Sequence, residues 1–314
     1  MCLSLFASPG LASDSTNHPP AETNNREAEP PASPSPKKPA PPVFPNDIRV
    51  ERDVAFLPEG RQARADLYFP LEMPADKKLP AVVIIHGGGW SGGRRDAKRE
   101  INIGSTLARN GYAAMSIDYI LSDNKQLVWP TNLWDCKTAV RWLRKNAERL
   151  GVDPDHIGVL GGSAGGHLAA MVALTIPADG LDPAEPFGDV SCRVNCCVDM
   201  YGVADIAAYH SATMLGKTAA EAPELYRLAS PVIYARSNSP PVLILHGTAD
   251  KTVNLKQSEL FDQALSRAGA EHELVIIPGA VHTFDLQPPQ RDLRPTVLNF
   301  FDKHLKTPAS TQPN

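Results

Sequence analysis

The stretch IGVLGGSAGGH spans residues 157–167. Its apolar first half predicts a short buried strand, and the Ala-rich residues after Ser163 predict a helix. Ser163 therefore lies on a sharp turn from strand to helix, between Gly161 and Gly165 in a G-x-S-x-G pattern. Such a turn strains the serine backbone and requires small neighbours, because a Cβ there would clash with the crossing chain. It also places the serine at the amino end of a helix, where unpaired N–H groups favour negative charge.

Strands and helices alternate on both sides of this turn. Further strands are predicted at 48–57, 64–69, 81–85, 112–119, 194–201, 242–246 and 273–277, and further helices at 96–110, 132–150, 255–268 and 292–305. The first two strands alternate apolar and polar residues, as antiparallel pairs do, whereas 81–85 is a continuous apolar run that suits a strand buried on both faces. The pattern predicts an α/β fold with a mostly parallel eight-stranded sheet and helices on both faces. Residues 203–240 are less regular and predict a short cap.

Size and charge narrow the class of protein. The chain has 314 residues and a net charge of −4, from 31 basic and 35 acidic side chains. A nucleic-acid-binding surface needs a strong basic surplus, so we expect no nucleic-acid partner. No apolar run approaches the roughly 18 residues of a membrane span, and we expect no transmembrane segment. The composition says nothing about the oligomeric state.

The amino-terminal residues 1–45 differ in composition from the rest. They carry 11 of the 30 prolines and no aromatic residue between Phe6 and Phe44. Such a segment buries too little apolar surface to offset its ordering entropy, so we expect a disordered Pro-rich tail, one folded domain at 46–306 and a disordered tail at 307–314. The first dozen residues are similar to the end of a signal peptide followed by a linker. This favours an exported protein, periplasmic or secreted, and a flexible tail on a cytoplasmic protein is the alternative.

A second glycine-rich motif, HGGGW at 86–90, directly follows the strand at 81–85. Consecutive glycines leave backbone N–H groups uncovered, and acyl transfer needs such donors around the oxyanion of its tetrahedral intermediate. We assign these donors to Gly88, Gly89 and Ala164. A phosphate-binding interpretation is unsupported, because no G-K-[ST] follows these glycines.

Two further strands end in candidate catalytic residues. Asp250 follows the strand at 242–246, and His282 follows the strand at 273–277. The carboxyl ends of parallel strands meet at one edge of the sheet, so both side chains can approach Ser163. The chain order Ser, Asp, His is that of a catalytic triad built on a strand–turn–helix nucleophile. Each residue also has a plainer explanation, Asp250 as the cap of the next helix and His282 as a surface histidine.

With these motifs the chain resembles the α/β-hydrolase superfamily over about residues 50–305. HGGGW, GGSAGGHLA and HGTADKTV are most similar to the esterase group that includes acetyl xylan and feruloyl esterases and hormone-sensitive-lipase-like carboxylesterases. Kynurenine formamidases share the HGG-x-W signature. Hormone-sensitive-lipase relatives usually carry Asp before the serine, and Gly162 replaces it here, which favours the xylan-decorating esterases. Much of the group has a Tyr-Arg pair after the fourth strand, where this chain has Tyr119 and Ile120.

The resemblance implies a serine hydrolase that cleaves carboxylic esters of small acyl groups through an acyl-enzyme on Ser163. It also suggests deacetylation of xylan or a related polysaccharide, with the domain at 46–306 as the catalytic domain and no cofactor or metal ion. The substrate would then be a small-molecule or polysaccharide ester, and the short cap argues against a long fatty chain. Alternatives are an amidase, a formamidase or a peptidase on the same triad, and a non-catalytic binding protein on the same fold.

Four residues near the motifs have aromatic or imidazole rings that suit the wall of a substrate pocket. Trp90, Trp129, Tyr201 and His210 are candidates for the wall of a substrate pocket, although each could equally belong to the core.

Three residues beside the glycines are expected to be structural. Gly87 would shape the turn after the strand. His86 precedes the glycines on that strand, which suits a structural histidine rather than a base. His167, four residues after the serine, is expected to be a packing residue on its helix.

The five cysteines form neither a disulfide framework nor a metal site by their spacing. Cys2 lies in the tail, Cys136 in a helical pattern, and Cys192, Cys196 and Cys197 around one strand. The adjacent pair points to opposite faces of that strand, so at most one of the two could pair with Cys192. No CxxC or HxxH pair is present. We expect inert thiols, with one local disulfide as the alternative.

Overall fold

Eight strands form one sheet, in the order β1-β2-β4-β3-β5-β6-β7-β8, in a computed structural model that describes residues 41–73, 77–123, 126–209 and 211–306. They are β1 Ile48–Val54, β2 Ala65–Pro70, β3 Leu79–Ile85, β4 Ala113–Ile117, β5 Val152–Gly162, β6 Cys196–Met200, β7 Val242–Gly247 and β8 His272–Ile277. β1 and β2 pair antiparallel, as do β2 and β4, while β3 to β8 run parallel. The α/β class and the mostly parallel sheet expected from the sequence are confirmed.

The helices fill the connections between strands. The longer ones are α1 Lys98–Arg109, α2 Thr131–Lys145, α4 Ala164–Leu174, α7 Lys256–Ala268 and α8 Arg294–Leu305, and the shorter ones are α3 Ala147–Leu150, α5 Ile206–Tyr209 and α6 Pro223–Leu228. The single helix predicted at 132–150 is wrong, because it is interrupted between α2 and α3. There Asn146 has φ −99° and ψ 11°, outside the helical range, and both its side chain and its N–H donate to the Trp142 carbonyl, at 2.9 and 3.0 Å. Gly151, at φ 66°, ends α3.

The sheet is buried on both faces because its central strands are apolar on both faces. Val83 and Ile85 of β3 pack in one apolar cluster with residues of α2, α4 and α7. Val82 and Ile84 pack in the opposite cluster with residues of α1 and α8. The right-handed crossovers between parallel strands put helices on both faces in this way. The functional loops consequently emerge at the carboxyl edge of the sheet.

The irregular segment expected at 203–240 is a cap made of α5, α6 and two 3₁₀ turns, Thr213–Leu215 and Pro231–Tyr234. Its buried residues Met214 and Tyr226 join the cluster that contains α2 and α4. The cap is therefore packed onto the body of the domain through apolar side chains rather than standing apart from it.

Residues 1–40 and 307–314 lie outside the described residues, as does His210. The predicted disorder of the two tails, the domain bounds at 46 and 306 and the export of the protein stay predictions. Within the described ranges, no helix is both long enough and apolar enough to cross a membrane.

Four of the five cysteines fall in the part of the chain that the structure describes. Cys136, Cys192, Cys196 and Cys197 are all free and buried. Burial raises the pKa of each of these thiols. The thiolate is the reactive form, so these cysteines are poor nucleophiles. Cys2 lies outside the described residues.

Candidate active site

Ser163 lies on the turn between β5 and α4 with a positive φ of 58° and ψ of −124°. A non-glycine residue in this conformation is strained by about 1–3 kcal/mol and persists only where its surroundings fix it. The Ser163 N–H donates to the Met200 carbonyl of β6 at 2.9 Å. A Cβ on Gly161 would collide with the carbonyl of Gly165, and one on Gly165 with the carbonyl of Ile85. The small residues predicted around the serine are therefore required by close main-chain crossings.

Three side chains from separate loops form a hydrogen-bonded chain at this turn. Ser163 Oγ donates to Nε2 of His282 at 2.9 Å, and Nδ1 of His282 donates to Oδ2 of Asp250 at 2.6 Å. Asp250 follows β7 and His282 follows β8, and these parallel strands are neighbours in the sheet. The structure thus brings together the three residues that the sequence singled out.

The Asp250 carboxylate divides its two oxygens between two tasks. Oδ1 accepts the N–H groups of Thr252 and Val253 at 2.8 and 2.9 Å, which leaves Oδ2 for His282. The side chain is fully buried. His246 lies 3.4 Å from the same Oδ2 but bonds the Val253 carbonyl through Nε2 and Ser258 through Nδ1. Burial lowers the pKa of His246, so it stays neutral and supports the Asp250 loop.

The glycine loop lies directly against the nucleophile turn. A Cβ on Gly87 would come within 2.8 Å of the Gly162 carbonyl and 3.2 Å of Ser163 Cβ, so only glycine allows this approach. Gly88 and Gly89 have φ values of 120° and 60°. Their N–H groups donate to no other residue in the described part of the chain. These two bare amides are therefore available to a ligand near the serine.

Ala164 supplies the third predicted donor. It is the first residue of α4, so its N–H lies outside the helical hydrogen-bond ladder. It lines the same cavity as Gly88, Gly89 and Ser163. A hydroxyl in reach of an imidazole–carboxylate pair, beside free amides, has the geometry that acyl transfer requires.

The two histidines expected to be structural are both buried, and both bond to groups other than the serine hydroxyl. His86 stacks on Tyr119 at 4.4 Å between ring centroids, and its Nδ1 donates to the Gly87 carbonyl at 2.7 Å. His167 accepts from Trp90 Nε1 at 3.1 Å and donates through Nε2 to the Ala229 carbonyl at 2.7 Å. Burial lowers the pKa of His167 to about 4, so the neutral ring joins the HGGGW turn to the cap.

The cavity beside Ser163 has a volume of about 380 Å³. Trp90 lines it, as the sequence predicted, together with Val203 and Tyr209 of the cap region. Arg99 of α1 also reaches this cavity. Arg99 was not predicted from the sequence, because a helical pattern alone does not tell which polar residues face a cavity.

Two of the predicted pocket-wall residues lie behind the wall rather than in it. Trp129 is buried and packs against His167 at 6.0 Å between ring centroids. Tyr201 is fully buried, and its ring edge contacts the His282 ring at 4.9 Å. Both aromatic rings have the packing partners of core residues, so they do not form the cavity surface. His210, the fourth candidate, is outside the described residues.

An arginine braces the loop after β4, although Ile120 stands where the resembling group carries one. Nη2 of Arg61, from the loop between β1 and β2, donates to both carboxylate oxygens of Asp135 of α2, at 2.8 and 2.6 Å. The same carboxylate accepts the N–H of Ile120 at 2.9 Å. Burial raises the pKa of Asp135 to about 6, and the nearby Arg61 opposes that shift. An arginine from a different segment of the chain thus stabilises the loop after β4.

A known protein family matches most of this chain. The BD-FAE family model matches residues 65–265. The chain belongs to the BD-FAE family. The match contains Ser163, Asp250 and the glycine loop of this BD-FAE chain.

Relatives of this BD-FAE protein include proteins named as esterases. It is 32% identical to the esterase LipQ of Mycobacterium tuberculosis over 74% of this chain and 57% of LipQ. It is 29% identical to an ethyl acetate hydrolase of Pseudomonas putida, over 72% of each chain. The apo structure of Thermogutta terrifontis esterase 2 matches with a TM-score of 0.68 and 28% identity, covering 88% of this chain and 100% of that one. The chain spans about 57% of the length of LipQ.

Proposed function

We propose that this BD-FAE protein is a carboxylic ester hydrolase with Ser163 as nucleophile, His282 as general base and acid, and Asp250 as the residue that orients His282. The observation that carries the proposal is the continuous pair of hydrogen bonds from Ser163 Oγ through the His282 ring to Asp250, at 2.9 and 2.6 Å. The names of LipQ and of the ethyl acetate hydrolase support ester hydrolysis over other acyl transfers.

The first half of the reaction forms an acyl-enzyme. Ser163 Oγ attacks the ester carbonyl carbon while His282 Nε2 takes the hydroxyl proton. The carbonyl oxygen becomes an oxyanion that accepts hydrogen bonds from the N–H groups of Gly88, Gly89 and Ala164. The bond between the carbon and the alkoxy oxygen then breaks, and His282 gives its proton to the leaving alcohol. Asp250 stabilises the imidazolium that exists between these two transfers.

The second half regenerates the enzyme. His282 takes a proton from water, and the resulting hydroxide attacks the acyl carbon of the ester on Ser163. The bond between that carbon and Ser163 Oγ breaks, the acid leaves, and Oγ recovers its proton from His282. None of these steps requires a metal ion or a redox group.

The proposed acyl group is small. The cavity of about 380 Å³ is near the lower end of ligand pockets, and Trp90 and Tyr209 line it. The relative named for ethyl acetate also favours acetyl-sized substrates. We expect the rate on p-nitrophenyl esters to fall steadily from acetate to butyrate to octanoate. A maximum at octanoate would contradict this proposal.

We extend the proposal to acetyl groups on xylan or a related polysaccharide. A second cavity of about 540 Å³ adjoins the first and shares His86, Gly93 and Arg94 with it. This space supports an alcohol part much larger than ethanol. Release of acetate from acetylated xylan, compared with release from p-nitrophenyl acetate, tests the extension. Activity on the small ester without activity on the polymer would reject the polysaccharide and leave the ester hydrolase.

An amidase, formamidase or peptidase would use the same three side chains. Assays on N-formylkynurenine and on aminoacyl-nitroanilides separate these alternatives from an esterase. A non-catalytic binding protein would lack turnover on all of these substrates and would bind an ester without cleaving it.

The central test is removal of the nucleophile. Ser163→Ala should lower turnover of p-nitrophenyl acetate by about a thousandfold or more, because only the amides and substrate binding remain. A fluorophosphonate probe should label the wild-type protein at Ser163 and leave Ser163→Ala unlabelled. Ser266→Ala, on the exposed side of α7, is the matched control and should behave as wild type. Near-wild-type turnover by Ser163→Ala would remove the assignment.

A further inference from the structure

Tyr201 contacts the proposed base through its ring and the segment after the base through its hydroxyl. Its ring edge packs against the His282 ring, 4.9 Å between centroids. Its hydroxyl donates to the carbonyl of Phe284 at 2.6 Å and accepts from Nη1 of Arg99 at 2.8 Å. Phe284 is only two residues beyond His282, so Tyr201 contacts both the base and the segment that carries it.

The direction of the Tyr201 hydroxyl is determined by Arg99. A guanidinium only donates hydrogen bonds, so a phenol that accepts from it must direct its single proton elsewhere. That proton goes to the Phe284 carbonyl, which accepts no other hydrogen bond in the described chain. Burial raises the pKa of Tyr201 to about 12, so the proton is present at neutral pH.

Arg99 is itself held rigidly. Its Nε donates to Glu100 at 2.9 Å, and Nη2 donates to the same carboxylate. A Cβ on Gly162 would lie 2.6 Å from Arg99 Nη1 and 3.0 Å from the Tyr201 hydroxyl. The pair therefore lies directly beneath the strand end that presents the nucleophile.

Backbone strain concentrates around the same residues. Ser163, Tyr201 and Thr283 all have positive φ values, of 58°, 46° and 66°. Residues other than glycine remain in this region only where neighbouring contacts hold them. Thr283 lies between the base and Phe284, so the Tyr201–Phe284 hydrogen bond holds the strained turn directly.

We propose that Tyr201, oriented by Arg99, is a positioning residue that keeps the strained 282–284 turn in the conformation in which His282 meets Ser163. The inference rests on the proposed function, because it concerns the activation of the proposed nucleophile. Tyr201 does not contact the substrate cavity, and it acts through His282 rather than on the reacting atoms. A misplaced base is costly, since a shift of about 1 Å in a catalytic group can lower the rate by up to about 100-fold.

The first test removes one hydroxyl and keeps the ring. Tyr201→Phe should lower kcat on p-nitrophenyl acetate by about tenfold with KM changed less than about twofold. Tyr112→Phe removes the hydroxyl of an equally buried tyrosine, bonded to Asp302, and should leave kcat unchanged. Tyr112 directly precedes β4, at the edge of the sheet opposite the catalytic loops. An unchanged kcat in Tyr201→Phe overturns the proposal.

The second test separates positioning from general loss of stability. Thr283→Gly should restore most of the kcat lost in Tyr201→Phe, because glycine adopts a φ near 66° without strain. Thr283→Gly alone, measured in parallel, supplies the reference. The positioning role is overturned if the loss of kcat in Tyr201→Phe accompanies a fall in Tm and Thr283→Gly does not restore it.

The third test asks whether Arg99 acts through Tyr201. Arg99→Met with Glu100→Gln removes both charges together, so that no buried carboxylate is left unpaired. If Arg99 acts through the hydroxyl, adding Tyr201→Phe to this pair should produce no further fall in kcat. If the two losses in kcat instead multiply in the combined variant, Arg99 acts on the substrate directly and its orienting role is overturned.

A fourth test measures the rate at which a fluorophosphonate labels Ser163. It reports the activation of the serine by His282 without depending on the natural substrate, and Ser163→Ala is its blank. Slow labelling of Tyr201→Phe beside fast labelling of wild type is the expected result. Equal labelling rates overturn the inference while leaving the esterase proposal intact, whereas an unlabelled wild type contradicts the esterase proposal itself.

Discussion

Thr213 of the cap donates a hydrogen bond from its Oγ1 to the carbonyl oxygen of Gly89, at 2.6 Å. Gly89 is one of the residues whose N–H we assign to the oxyanion. The contact therefore ties the cap to the loop that carries the proposed donors. Donors contribute to catalysis only where they are held in place before the charge develops.

We predict that Thr213→Val lowers kcat on p-nitrophenyl acetate by about tenfold, because valine has the same shape and cannot donate to the Gly89 carbonyl that holds the loop. Tm should change little, since Thr213 is only partly buried. Thr218→Val, which alters a threonine paired with Glu221 elsewhere on the cap, is the control and should retain wild-type kcat. Steady-state kinetics of both variants decide the matter, and equal kcat values would refute the prediction.

Asp250→Asn should lower kcat by about 10³–10⁴ while leaving the fold intact. The two oxygens of Asp250 accept from His282 on one side and from the N–H groups of Thr252 and Val253 on the other. An amide offers one acceptor and one donor, so one of these sides would face a second donor. Asp292→Asn, at an exposed position two residues before α8, is the matched control. Turnover within tenfold of wild type would disprove the orienting role of Asp250.

Acid should weaken the fold through His167. Burial lowers its pKa to about 4 in the folded protein, from about 6.5 when unfolded. Between these values the unfolded chain binds the proton more readily, so stability falls as the pH falls through this window. From pH 7 to pH 5, wild type should lose about 2 kcal/mol relative to His167→Gln. Urea unfolding of both proteins at the two pH values measures this, and a constant difference would contradict it.

Arg61→Met should lower the free energy of unfolding by about 2 kcal/mol, because it leaves the Asp135 carboxylate buried without its cation. Adding Asp135→Asn should restore most of that loss, since the buried charge is then gone. Arg227→Met breaks an exposed pair with Glu224 and should cost less than about 1 kcal/mol. Chemical denaturation of these variants and of Asp135→Asn alone is the measurement. A double variant whose loss equals the sum of the two single losses would disprove the pairing.

The sheet and the three side chains at its edge were predictable because each depends on local pattern. The parallel strands are largely apolar runs with turn signals. Ser163, Asp250 and His282 lie one, three and five residues after the ends of such strands. The order of strands in a right-handed crossover sheet then brings these loops together. No side-chain detail was needed to reach that arrangement.

The contacts that refine the site could not be predicted, because they join residues far apart along the chain. Arg61 and Asp135 are separated by 74 positions, and Thr213 and Gly89 by 124. Their pairing depends on the path of irregular segments, for which sequence periodicity carries no signal.

The misassigned aromatic residues illustrate a related difficulty. Tyr201 and Trp129 were expected in the pocket wall, but their rings pack among buried neighbours. A large aromatic residue beside a catalytic motif suits a core or a pocket equally well by composition. Only the placement of the loops around it decides which surface it meets.

The glycine crossings at the nucleophile turn also bear on engineering. The position of Ser163 is set where the main chain at Gly161 and Gly165 passes other main chain too closely for any side chain. The cap at 203–240 meets the catalytic loops through side chains and a few hydrogen bonds. Combinatorial libraries aimed at new substrates can therefore diversify cap positions other than Thr213, whereas codons 161 and 165 should be frozen from the first round.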